Sequence, residues 1–158
     1  MAVRFLRKGE DPALRAVAKQ VKEISPSIIR LLDDMLETMR FNKGVGLAAP
    51  QVGIARRVVV LEIGDKVYEL INPEITTTEG ICTDIEGCLS FPGIWGEVER
   101  GERVVVKATD RQGNLYTIEG DGLLARALQH ELDHLEGKVF IDKVKRFVSE
   151  DELEENEE

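Results

Sequence analysis

The chain has 158 residues, 42% hydrophobic and 32% charged, which suits one domain with a single core. Its formal charge of −9 is concentrated in residues 149–158, which hold seven acids and no base, so the body stands at about −2 and nothing points to nucleic acid as a partner. No segment approaches the roughly 20 apolar residues of a membrane span, and the first residues lack the apolar run of a secretory signal, so no membrane association and a cytoplasmic location are expected.

In chain order, Ser25 or Ser27 is placed to cap a helix in which Ile28, Leu32, Met35, Leu36 and Met39 recur at helical spacing. That stripe reads as core, and the helix should end near Asn42-Lys43-Gly44. Residues 44–53, Gly-Val-Gly-Leu-Ala-Ala-Pro-Gln-Val-Gly, begin like a dinucleotide-binding loop. They follow a helix rather than a strand, however, and Pro50 interrupts the helix that should come next. Two readings remain: a packing turn, or a substrate-facing strand whose Gln51 amide serves an oxyanion. Residues 57–63 and 67–71 read as a hairpin around Gly64-Asp65.

Residues 86–90, Glu-Gly-Cys-Leu-Ser, offer a thiol beside a glycine that permits close backbone approach. Cys82 reads as a small buried hydrophobe, and a disulfide between the two cysteines is not expected. A second strand pair is expected at 103–110 and 115–119, around Arg111-Gln112-Gly113-Asn114. The helix that follows, with Asp121 as N-cap and Gly137 as stop, carries the chain's two histidines, His130 and His134, four residues apart with Glu131 after the first. Stepping 100° per residue puts Leu123, Leu124, Ala127, Leu128, His130, Glu131, Leu132, His134 and Leu135 on or at the edge of the apolar face. Arg126, Gln129, Asp133 and Glu136 fall on the polar one. HExxH on a helix presents two imidazoles to one divalent metal, with the glutamate beside them as general base. A third ligand is needed. Phe140 stands where a third histidine would be, Glu154 lies in the acidic segment, and Cys88 is the better candidate. A short apolar stretch at 139–141 and an acidic, unstructured tail at 149–158 complete the chain. Antiparallel strand pairs with helices at either end argue for an α+β fold, with antiparallel sheets packed around the HExxH helix, an N-terminal helix and one catalytic domain over 1–148.

Together, Gly44 to Gln51, Glu86 to Ser90 and His130 to His134 match, in order, the G-x-G-x-A-A-x-Q, E-G-C-L-S and H-E-x-D-H motifs of the peptide deformylase family, which the chain resembles over about residues 3–146. The resemblance implies a metal-dependent hydrolase that removes the N-formyl group from formylmethionine on nascent proteins and releases formate. It implies Cys88, His130 and His134 as ligands of one divalent metal, iron(II) natively with zinc or nickel able to substitute. Glu131 would be the general base, and the Gln51 amide and Leu89 backbone N–H the oxyanion donors, each worth about 3–4 kcal/mol of barrier. The backbone of Val45, Gly46 and Gly87 would bind peptide as an added strand, and the methionine side chain would enter a pocket near Val45, Leu123, Arg126 and Ala127.

Two positions depart from some members. Arg126 replaces an aliphatic residue, and its stem is expected to form the wall while its charge reaches water. Trp95 stands where some members place arginine, either as packing or as part of the cleft. Asp133 is expected to pair with Arg100 behind the ligands. Proximity to the ribosome follows from the substrate, but the acidic tail is the opposite of the basic C-terminal helix by which some members would dock. A zinc peptidase using Glu154, or a deformylase-like protein without activity, are the other readings of the same residues.

Overall fold

Pro26 at the first helical position, after Ser25, starts helix α1 (Pro26–Phe41). In a computed structural model describing residues 2–157, it buries Ile28, Leu31, Leu32, Met35, Leu36 and Met39 along one stripe. The stripe packs on one face of a five-stranded antiparallel sheet. Its strands are β1 (Gly46–Ala48), β2 (Val58–Ile63), β3 (Lys66–Glu79), β6 (Arg103–Thr109) and β7 (Leu115–Asp121), in the order β1-β2-β3-β6-β7. The expected hairpin is present, with Ile63 opposite Lys66 and Gly64 at φ 61° in the turn. The second pair is present as β6 and β7, Thr109 facing Leu115.

β2 is covered on both sides. Val58 and Val60 face α1, whereas Val59 and Leu61 face helix α2 (Gly122–Leu135), which packs on the other surface with Ala125, Leu128, Leu132 and Leu135. That double burial explains its unbroken apolar run, since a strand solvated on one face would alternate. Each fully buried Val or Leu here contributes about 1.5–3 kcal/mol.

β4 (Cys82–Cys88), β5 (Phe91–Arg100) and β8 (Val144–Val148) form a second antiparallel sheet, order β4-β5-β8, that the sequence reading did not resolve into strands. Under it Leu14, Phe91, Val98, Val139 and Phe140 make a third apolar cluster. The stretch at 139–141 leads into a single 3-10 turn, Phe140–Asp142. Gly137, at φ 72°, ends α2 as expected.

Two expectations are corrected. Cys82 is exposed, not buried. It opens β4 opposite Arg100 at the end of the hairpin, where its side chain lacks cover. The acidic segment, expected to be unstructured, contains helix α3 (Glu150–Glu157). Ser149 Oγ accepts the Glu152 N–H, Arg146 pairs with Glu152, and Glu150, Asp151 and Glu152 sit in the first turn, where the helix dipole favours negative charge.

Candidate metal centre

α2 lies between the two sheets, and the seam between it and the end of β4 is where the chemistry-bearing residues meet. Cys88, at the last position of β4, His130 and His134 bring one sulfur and two imidazole nitrogens within 4.8 Å of one another. Cys88 Sγ and His134 Nε2 are 3.5 Å apart. His130 Nδ1 donates to Glu86 at 2.8 Å, which turns its Nε2 toward the cluster. One thiol and two imidazoles form a donor set suited to iron(II) or zinc, and a carboxylate behind a histidine fixes the tautomer that a metal requires. The residues fit the expected metal. Exposed Glu154 is not among the clustered groups, so the peptidase reading that used it is set aside.

Phe140, at the position of the absent third histidine, instead stacks on His130, with centroids 5.9 Å apart and rings inclined at 27°.

Glu131 is buried beside the cluster, and its Oε1 has no hydrogen-bond partner among the described residues. Burial pushes its pKa up to about 7; neighbouring His130 pulls it down and Glu86 adds to the rise. A carboxylate orphaned in an apolar wall is costly unless it has a task there. Room for it comes from Gly46, where a Cβ would stand 2.7 Å from Glu131 Oε2.

Gln51 is buried, and its amide orientation is fixed at both ends. The Ala48 N–H donates to its Oε1 at 2.9 Å, while its Nε2 donates to Ser90 Oγ at 3.1 Å and lies 3.5 Å from Cys88 Sγ. The amide nitrogen therefore faces the cluster, as an oxyanion donor must. Leu89, whose backbone N–H was assigned the companion role, directly follows Cys88. Gly87 packs under Trp95, since a Cβ there would meet the indole at 2.3 Å. Trp95 thus backs the strand bearing Cys88 and also lines the cleft. The cleft has a volume of about 530 Å³ and is bordered by Val45, Gly46, Gly87, Leu123, Arg126 and Ala127 among others.

Three residues of α2 are not where the arc placed them. Leu123 is 56% exposed and sits at the rim rather than in the core. Arg126 and Gln129, assigned to the polar face, are each only 9% exposed. The arc treats the helix as facing one sheet, but β4 and β5 cover a second face. Arg126 does not send its charge to water. Its guanidinium turns inward to Glu86 Oε2 at 2.6 Å and to the carbonyls of Val98 and Cys82 at 2.9 and 2.8 Å. Gln129 exchanges hydrogen bonds with the backbone of Gly101.

The expected Arg100–Asp133 pair is present at 2.6 Å, and Arg100 also forks onto Glu86 at 2.8 and 2.9 Å. Glu86 was overlooked except as part of a motif, yet it is the hub, accepting from Arg100 twice, Arg126 once and His130 once. Burial alone would raise its pKa, but the bonds from Arg100 and His130 outweigh burial and hold it well below the usual carboxylate range. The available signal was an acid two residues before a candidate ligand cysteine, since histidines that hold a metal are usually backed by a carboxylate.

A family model described as polypeptide deformylase matches residues 3–150. The peptide deformylase of Acetivibrio thermocellus is 58% identical, over 100% of this chain and 93% of its own length. That of Caldicellulosiruptor bescii is 55% identical, over 98% and 93%. The crystal structure of peptide deformylase from Thermotoga maritima superimposes with a TM-score of 0.89 at 40% identity, covering 92% of this chain and 99% of that one. A fold shared at that level, with sequence kinship along nearly the whole length, makes this chain a member of the polypeptide deformylase family of enzymes.

Proposed function

We propose that the chain hydrolyses the formamide of N-formylmethionine at the start of nascent polypeptides, with Cys88, His130 and His134 holding one divalent metal, natively iron(II) and replaceable by zinc or nickel. The observation that carries this reading is the convergence of those three donors with a partnerless buried carboxylate, Glu131, and an amide, Gln51, locked with its nitrogen toward them. Bound there, the metal would supply a Lewis acid and a water whose pKa falls toward about 7.

The remaining work belongs to the side chains. Glu131, with its pKa raised to about 7, is matched to taking a proton from water near neutrality and returning it to the departing methionine amine. As the formyl carbon becomes tetrahedral, Gln51 Nε2 and the Leu89 N–H stabilise its oxygen, and the Ala48 and Ser90 contacts spare Gln51 any reorganisation. β1 is the edge strand of its sheet, so a peptide can add beside Val45 and Gly46, with the Gly87 backbone across the cleft. Such binding reads backbone more than sequence, which suits a substrate pool of many different nascent chains. The methionine side chain would lie against Leu123, Ala127 and the stem of Arg126. This substrate is met in the cytoplasm, near the ribosome.

Formate release from formyl-Met-Ala-Ser by anaerobically iron-loaded protein tests the proposal, with Cys88→Ala and Glu131→Ala alongside. Turnover by the parent, lost in both variants, is the expected result. A parent that holds one metal and releases no formate would overturn the reading.

A further inference from the structure

The metal ligands come from two bodies whose apolar clusters are separate, bridged beside the ligands chiefly by Phe140, which stacks on His130. His130 and His134 ride on α2, whose hydrophobic contacts are with the five-stranded sheet, while Cys88 closes β4 in the three-stranded one. Most of what crosses from helix to small sheet here is polar. Arg100 reaches from β5 to Asp133 on α2 at 2.6 Å. Arg126 reaches the other way, from α2 to β4 at the Cys82 carbonyl and the Glu86 carboxylate, and to β5 at the Val98 carbonyl. Val98 lies at the register break between β5 and β8. A planar guanidinium satisfies one carboxylate and two carbonyls in fixed directions, whereas an ammonium is a point charge without such a fork.

We propose that Arg126 is a positioning residue for the metal centre. By pinning α2 to β4 and β5 before metal binds, it sets the separation between Cys88 and the two histidines. The inference rests on the metal centre proposed above and deepens it. The geometry distinguishes this role from that of a pocket wall. The head is buried against the strand that ends in Cys88, and each oxygen of Glu86 accepts two bonds, Oε1 from Arg100 and His130 and Oε2 from Arg100 and Arg126. Arg126 holds the strand, and through Glu86 it also holds His130.

The test is Co²⁺ binding to metal-free protein, measured by competition with a chromophoric chelator, together with the thiolate-to-cobalt absorption of the loaded protein. The parent, Arg126→Met, Arg126→Lys, Cys88→Ala and Arg111→Ala are compared. Methionine keeps the stem and removes the clamp, so Arg126→Met should bind Co²⁺ about 10–100-fold more weakly with an altered thiolate band. Lysine reaches Glu86 but cannot also fork onto two carbonyls, so it should recover part of that loss. Arg111→Ala, far from the centre, reports what loss of stability alone does, and should leave affinity and spectrum unchanged.

Parent-like affinity and spectrum in Arg126→Met overturn the proposal, as does full recovery in Arg126→Lys, which would assign the effect to charge alone. If Arg126→Met does not fold, Arg126→Lys decides, weakened binding supporting the clamp and parent-like binding overturning it. Should Cys88→Ala bind Co²⁺ as tightly as the parent, the metal-centre reading itself fails, an outcome distinct from failure of the clamp.

Discussion

Helices α1 and α2 occupy opposite faces of the same sheet, and β2 gives alternate side chains to each, yet they are built on different principles. α1 buries seven side chains, of which Thr38 alone is polar. α2 buries ten, and five of them are Arg126, Gln129, His130, Glu131 and His134. Each helix is also tied down through arginines. For α1 it is Arg111, from the β6–β7 loop, which bonds Asp33 at 2.8 Å and Glu69 at 2.6 and 2.8 Å with its side chain 28% exposed. For α2 it is Arg100 and Arg126 around Glu86, with the Arg100 and Glu86 side chains 3% and 4% exposed. A helix that only closes a core can rely on oil and a solvated tether. One that turns two imidazoles and a carboxylate toward a thiol on another strand carries polar groups inside, and these need buried partners.

The contrast predicts where substitutions should separate stability from metal binding. Glu86→Ala should have the largest effect. It leaves two guanidinium groups and His130 without their acceptor, and breaking a buried pair this way costs about 3–5 kcal/mol. Urea unfolding of metal-free protein should show that loss, and Co²⁺ affinity should fall with it. A loss below about 1 kcal/mol would mean the network is solvated in solution, contrary to its burial. Leu32→Ala, in the centre of the α1 stripe, comes next. The cavity should cost about 2–5 kcal/mol, with Co²⁺ affinity unchanged once the protein is folded. If Leu32→Ala weakened metal binding as much as Glu86→Ala, the two faces of the sheet would not be independent and the comparison would fail.

The same contrast explains what could be read from the sequence. Ile28, Leu32, Met35, Leu36 and Met39 were all placed correctly in the core, because an apolar stripe against one sheet is a local signal with a 3.6-residue period. On α2 the spacing put the histidines and Glu131 on the buried face, where they lie, and Cys88, singled out in its own motif, is brought close to both histidines by the geometry. Arg126 and Gln129 were misplaced because what buries them lies far away in sequence: Glu86 is 40 residues from Arg126, and Gly101 is 28 from Gln129. Nothing in a helical window reports such partners. β4 and β5 escaped notice for a related reason. Their glycines and acids hide the apolar alternation of a strand, and the buried positions of β5 at Gly96, Val98 and Arg100 do alternate, but two of the three are not apolar. A strand whose inward face serves a buried polar network does not have the composition of one that serves a core.

Two smaller predictions sharpen the comparison at the α1 tether. Arg111→Ala should cost about 1 kcal/mol, and less at high salt, because its partners are partly exposed. Removing the buried tether around Glu86 should be far less sensitive to salt, and equal salt dependence of the two in urea unfolding would blur the distinction drawn here.

The smallest effect is expected at Tyr116, whose hydroxyl donates to the Glu69 carbonyl at 2.5 Å beside that tether. Burial, then the nearby charges of Asp110 and Glu69, push its pKa up to about 12. The unfolded chain should release this proton near pH 10. Since the folded value is the higher one, the stabilisation is complete below about pH 10 and is lost as pH rises through about 12. At neutral pH, Tyr116→Phe should lose about 0.5 kcal/mol, the low end for a hydrogen bond, because the ring is partly exposed. Between pH 10 and 12 the parent should lose stability relative to Tyr116→Phe, so the gap between them closes and then reverses. Tyrosinate absorbance of the folded parent should contain a component near pH 12 that Tyr116→Phe lacks. If Tyr116 titrated near pH 10 instead, the ring would be open to water, and the α1 tether would be more solvated than its geometry indicates.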